Sequence, residues 1–110
     1  MKKDPKIFLE HILDSIGAIE EYTKNIGEDE FCAARKTVDA VVRNIEIIGE
    51  AVKNLSTGFK NKAPHIPWKK IAGMRDNLIH EYFGVNKSLV WEVVKKDLPE
   101  LKKEIELLLK

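Results

Sequence analysis

The run Phe31-Cys32-Ala33-Ala34-Arg35-Lys36-Thr37-Val38-Asp39-Ala40-Val41-Val42-Arg43-Asn44-Ile45-Glu46-Ile47-Ile48-Gly49-Glu50-Ala51-Val52-Lys53-Asn54-Leu55 carries the clearest periodicity in the chain. Phe31, Ala34, Val38, Val41, Ile45, Ile48, Val52 and Leu55 recur alternately three and four positions apart, without a miss. That rhythm is the a/d seam of a helix packed at a shallow angle against others, as in helical bundles. Ala33, Ala40, Val42, Ile47 and Ala51 widen the seam on both sides, so the helix is expected to be central and to touch more than one neighbour. Gly49 has two readings: it permits close approach by another helix, or it simply weakens this one. Glu28, Asp29 and Glu30 favour the positive end of the helix, which is expected to run unbroken to Ser56-Thr57-Gly58.

Working outward, Asp4 before Pro5 is an N-cap followed by a favoured first residue. Phe8, Ile12, Ile16, Ile19 and Ile26, with Leu9 and Leu13 beside them, then predict a first long helix to about Gly27. Beyond the central helix, residues 59–66 form a basic connection bounded by Pro64 and Pro67. Pro67 suits a first helical turn and Gly84 a stop, predicting a further helix between them. The last helical stretch begins near Asn86 to Ser88 and carries Val90, Trp91, Val94 and Leu98; Pro99 permits a kink, or a restart capped by Asp97, before Leu101, Ile105 and Leu108. The expectation is an all-α protein, an antiparallel bundle of four to five helices forming a single domain over residues 1–110.

Hydrophobic residues make up 44% of the chain and charged residues 34%, with a formal net charge of +1. So small a charge draws the whole molecule neither to nucleic acid nor to a membrane surface. Its distribution is uneven. No acidic residue falls between Glu50 and Asp76, whereas Lys53, Lys60, Lys62, Lys69, Lys70 and Arg75 all do. The single cysteine, Cys32, makes neither an intramolecular disulfide nor a metal cluster with a nearby histidine, so neither a metal nor a cofactor is expected, and a reducing cytoplasm is the simplest setting. The amino terminus leads into an amphipathic helix, not the apolar run of a signal peptide or membrane span.

Chemistry concentrates in Arg75-Asp76-Asn77-Leu78-Ile79-His80-Glu81-Tyr82. On a helix, about 100° per residue puts Arg75 and Tyr82 on nearly one stripe, while Arg75 and His80 diverge by about 140°. A facing surface must help bring that pair together. Asp76 and Asn77, four and three positions before His80, could each orient its ring. An imidazole gives and takes protons near neutrality, and a guanidinium holds phosphate by a planar, charged fork. Without a metal cluster these groups suit RNA phosphodiester cleavage, in which the neighbouring 2′-OH is the internal nucleophile. The same spacing also fits an ordinary surface pair of Asp76 and His80 with a solvated Arg75. Tyr82 by itself fits a half-buried core aromatic, and the lysines from Lys60 to Lys70, including Lys69 and Lys70, fit either a solubilising loop or an RNA rim.

This run resembles the Arg-x4-His-x-Tyr motif of the HepT family, HEPN-domain toxins paired with minimal nucleotidyltransferases. The likeness extends to Arg43 through Ala51, Ile66-Pro67-Trp68, Gly73-Met74, Tyr82-Phe83-Gly84-Val85, Val90-Trp91 and Asp97-Leu98-Pro99, nearly the whole chain. Asn86 stands where an aspartate is common, a difference that bears on a helix cap. The resemblance implies a HEPN-like bundle that forms a homodimer with the two motif copies at a shared cleft. It implies metal-independent endoribonuclease activity on an RNA substrate, with Arg75 and His80 catalytic and Asp76 supporting. It further implies a cognate MntA-like nucleotidyltransferase antitoxin that transfers AMP from ATP to Tyr82. A different class also fits the residues: a non-catalytic nucleotide- or substrate-binding subunit of such a transferase, with Arg75 holding phosphate.

Overall fold

A computed structural model describes residues 4–74 and 86–110 of the chain. Helix α1 is Pro5–Thr23, α2 Glu28–Ala33, α3 Arg35–Asn54, α4 Thr57–Asn61, α5 Trp68–Ala72, α6 Lys87–Glu92 and α7 Leu98–Leu108, with a π-helical turn at Val93–Asp97 joining α6 to α7. The protein is all-α, and no strand occurs among the described residues.

Helix α3 is the central element the periodicity predicts. Val41, Ile45, Ile48 and Val52 are wholly buried, and α1, α2, α5 and α6 all pack on this helix. The expected single helix from Glu28 onward is, however, broken at Ala34, which leaves the helical region (φ −98°, ψ 82°). Short α2 seats Phe31 out of solvent against the Trp91 ring, 5.2 Å between centroids, while α3 starts afresh with the Val38 N–H donating to the Ala34 carbonyl. Alanine favours helix by its local propensity, so tertiary packing sets this break.

Helix α1 begins as expected, with the Lys6 N–H donating to the Asp4 carboxylate at 2.9 Å. Leu9, Ile12, Ile16 and Ile19 form its buried face. It stops at Thr23, earlier than the predicted Gly27, because Asn25 turns the chain through the left-handed region (φ 62°), a conformation Asn tolerates better than most residues. Glu20 late in α1 meets Lys102 early in α7 at 3.1 Å, and Leu109 shares a surface hollow with Ile7 and Leu13, so these helices run antiparallel.

The connection after α3 is more ordered than its prolines suggest. Ser56 caps α4 by accepting from the Phe59 N–H at 3.0 Å. The Trp68 indole N–H then donates to the carbonyls of Lys60 (3.1 Å) and Ala63 (3.0 Å), fastening the whole turn to the start of α5. Pro67 is the residue before α5 and not within its first turn, and α5 ends at Gly73 (φ −91°, ψ 0°), so the helical run predicted from Pro67 is interrupted there; the predicted stop at Gly84 lies outside the described residues.

The final helical stretch starts where expected, with Asn86 accepting from the Leu89 N–H at 3.1 Å. Pro99 does not follow a capped restart. Asp97 is itself helical (φ −77°, ψ −42°) and caps nothing through its side chain; the helix instead widens into the π turn just ahead of the proline. That accommodates a ring that would otherwise press on a carbonyl one turn back and a position that lacks an N–H.

Candidate functional site

Arg75, Asp76, Asn77, His80 and Tyr82 lie outside the described residues. What the structure supplies is the frame on either side of them, and both sides are carried on α3. On the leading side, Gly49 of α3 lets α5 come so near that a Cβ built on it would stand 3.3 Å from the Ala72 carbonyl oxygen and 3.7 Å from that of Ile71. The close-approach reading of Gly49 is therefore the one the structure supports. Ile71 and Met74 are buried, Trp68 is locked by its two hydrogen bonds, and the chain reaches position 75 from this fixed point. On the trailing side, Asn86 caps α6, Val90 is wholly buried, and Trp91 lies between Phe31 and the Lys95 ammonium, which sits 4.7 Å from its ring centroid.

Lys69 and Lys70 are exposed on α5. Lys70 lies 4.0 Å from an Asp97 carboxylate oxygen across the bundle, with its side chain 66% exposed. An exposed pair at that separation is worth little and leaves the ammonium available to another anion. Among the described residues, no group of three or more His, Cys, Asp or Glu side chains is placed to hold a metal ion, and no helix is long and apolar enough to cross a membrane.

Beside the Gly49 contact opens a surface hollow of about 530 Å³. Arg43, Glu46, Glu50 and Lys53 from α3 line it, with His11 from α1 and Ala72 from α5. Arg43 and Glu46 approach to 3.7 Å. Sequence reasoning gave these side chains no role. The available signal was their spacing of three, four and three positions, a polar stripe next to the apolar seam. Nothing in the spacing could have brought His11 or Ala72 to the same place, because those neighbours belong to other helices.

The family model described as ribonuclease HepT-like matches residues 12–108, a span that takes in the framing helices and the Arg75-to-Tyr82 motif alike. The chain belongs to this family. Among relatives of the HepT-like chain, a Thermococcus cleftensis protein named "Probable ribonuclease HepT" is 48% identical over the full length of both chains. A Caldanaerobacter subterraneus protein named "Putative RNase" is 50% identical, the match covering 94% of this chain and 92% of the relative. A Methanocaldococcus jannaschii protein named as a "Gamma-glutamylcyclotransferase and putative RNase" is 61% identical over 96% of this chain, which spans only 47% of that longer relative. No solved structure matches the chain significantly.

Proposed function

We propose that this HepT-like chain, folded as one domain over residues 1–110, is the toxin of a cytoplasmic toxin–antitoxin module, a metal-independent endoribonuclease whose catalytic residues are Arg75 and His80. The observation that carries the reading is that the family match spans Arg75-x4-His80-x-Tyr82, a guanidinium and an imidazole at family spacing.

In this mechanism the 2′ oxygen of RNA attacks the adjacent phosphorus, the bond to the 5′ oxygen breaks, and a 2′,3′-cyclic phosphate and a 5′-OH result. The proton lost from the 2′-OH is matched by one delivered to the leaving oxygen. His80 performs one of these transfers as general base or general acid, a contribution of about 10²–10⁴-fold. Arg75 stabilises the charge that gathers on the non-bridging oxygens. Asp76 and Asn77 support the ring by spacing, and exposed Lys69 and Lys70 extend a basic rim for RNA phosphates.

A homodimer resolves the angular problem of a single helix. With two motif copies about a two-fold axis, each His80 approaches Arg75 of the partner subunit, and the site is composite. Silencing follows when the Tyr82 oxygen attacks the α-phosphorus of ATP on a MntA-like nucleotidyltransferase and pyrophosphate leaves. The resulting anion, close to Arg75 in sequence register, competes with RNA phosphate.

The test is cleavage of RNA by purified protein in EDTA. Wild type is expected to cut, and Arg75→Ala and His80→Ala to lose cutting with unchanged helicity. Full cleavage by cleanly purified His80→Ala protein would remove the catalytic assignment. A wild type that binds nucleotide yet cuts no RNA would make the chain a binding subunit of its transferase.

A further inference from the structure

The five lysines between Glu50 and Asp76 meet no carboxylate within their own segment, so the rest of the chain is left with a net negative charge and this stretch is its basic side. Acidic residues from the last helical stretch reach two cations of the region: Glu104 meets His65 at 2.6 Å, and Asp97 lies 4.0 Å from Lys70. Among the described residues no ion pair engages Lys60, near the end of α4, or Lys62, its C-cap. Lys62 is exposed and Lys60 partly so.

The turn that carries these two is fixed, and its carbonyls are already engaged. The Lys62 N–H donates to the Phe59 carbonyl at 3.1 Å, the Ala63 N–H to that of Lys60 at 3.1 Å and the Ile66 N–H to that of Ala63 at 3.2 Å. The Lys60 and Ala63 carbonyls also accept from the buried Trp68 indole, so they face inward. A loop that only solubilises has no need of such order. Trp68 opens α5 and Ala72 closes it, about 6 Å of helix rise later. Lys60 and Lys62 therefore stand at the end of α5 opposite the one from which the chain reaches position 75.

Side-chain chemistry selects the partner. Phe59, Ile66 and Trp68, the large apolar side chains of the turn, pack toward the core, which leaves no anchor to enter a membrane or to fill the desolvated centre of a protein interface. Lysine is a point charge that holds phosphate and carries no base information. We infer that the α4–α5 turn is a remote RNA-backbone site, in which Lys60 and Lys62 hold phosphates of the strand outside the bond to be cut. The site rests on the reading of RNA as substrate and extends it: a dinucleotide has only the phosphate being cleaved, so the turn favours a longer strand, tightens its binding and touches no reacting atom.

Fluorescence anisotropy of a labelled single-stranded RNA oligonucleotide tests this in His80→Ala protein, which leaves the probe uncut under the proposed mechanism. Each single-strand phosphate contact contributes about 0.7 to the slope of log affinity against log salt, so Lys60→Gln with Lys62→Gln is expected to flatten that slope by about 1.4 and to narrow the affinity gap from the parent about seven-fold between about 50 and 200 mM salt. Arg35→Gln with Lys36→Gln removes the same charge from the exposed start of α3 and should leave the slope unchanged. Equal flattening by both pairs, no flattening by the first, or polyglutamate that displaces the probe as well as unlabelled RNA does would overturn the site. With His80 intact, the Lys60 and Lys62 pair of substitutions should raise KM for the oligonucleotide while leaving kcat, and KM for a dinucleotide, unaltered. Wild type that cuts no RNA would remove the nuclease reading and leave the anisotropy result standing, whereas cutting with an unaltered salt slope would remove this site alone. Circular dichroism at wild-type helicity certifies that each variant is folded.

Discussion

Gly49 offers the sharpest check on how α3 holds the segment that leads to the motif. A Cβ there would meet the Ala72 carbonyl oxygen at 3.3 Å, a few tenths of an ångström too tight, and the obstacle is backbone that cannot rotate away. Gly49→Ala therefore sets two opposed effects against each other. Alanine in a helix interior gains about 1 kcal/mol over glycine, while moving α5 outward loses dispersion contacts of similar total size. The net change in stability is expected within about 1 kcal/mol of zero. Gly49→Leu adds three further carbons where the Ile71 and Ala72 carbonyls stand, and the overpacking cost of about 1–3 kcal/mol is no longer offset. Thermal unfolding should show Gly49→Ala near wild type and Gly49→Leu lower by about 4–8 °C for each kcal/mol lost. The functional consequence departs from the thermal one: because α5 runs into Gly73 and Met74 immediately before Arg75, even the thermally neutral Gly49→Ala should slow RNA cleavage. Equal melting temperatures for Gly49→Ala and Gly49→Leu would refute the close-approach argument. A displaced α5 with undiminished cleavage would refute its coupling to the site.

Trp68→Phe removes the donor shared by the Lys60 and Ala63 carbonyls, yet each carbonyl also accepts a backbone N–H, from Ala63 at 3.1 Å and Ile66 at 3.2 Å. Neither is orphaned, so the loss is expected at about 1–3 kcal/mol from the hydrogen bond and the smaller ring together, read as a lower urea midpoint at unchanged slope; an unaltered midpoint would mean that the indole does not fasten this turn. Tyr82→Phe should remain folded and gain no adenylate mass when incubated with a MntA-like nucleotidyltransferase and ATP, and adenylation to the wild-type extent would place the modification on another side chain. Asn86→Ala removes the cap of α6 and should cost about 1 kcal/mol, and no loss of stability would show that the Leu89 N–H is served equally well by water.

The seam of α3 was legible because its three-and-four spacing and its burial are one physical fact: the residues that recur on one face are those out of solvent. The boundaries that went unread are those set by tertiary demand against local preference. Ala34 has the best helical propensity of any residue type and still breaks the helix; Gly73, where α5 ends, is a different case, a glycine whose stop signal was passed over in favour of Gly84. Pro99 was visible as a disturbance, but the relief it obtains, a five-residue π turn at Val93–Asp97 just ahead of it, is one of several distortions that spacing does not rank. The site divides in the same way. The proposed chemistry is read from the residue types between Arg75 and Tyr82 alone, whereas His11 beside Arg43 and Glu46, and Ala72 against Gly49, are neighbours only because α1 and α5 both lie on α3. This bears on the mechanism itself. On an ideal helix Arg75 and His80 would stand about 140° apart, so the joint action proposed for them requires a second surface, which the proposed homodimer would supply. What the described residues fix is where the motif segment is entered and left, at Met74 behind α5 and Asn86 before α6, both referred to the one helix whose rhythm the sequence states most plainly.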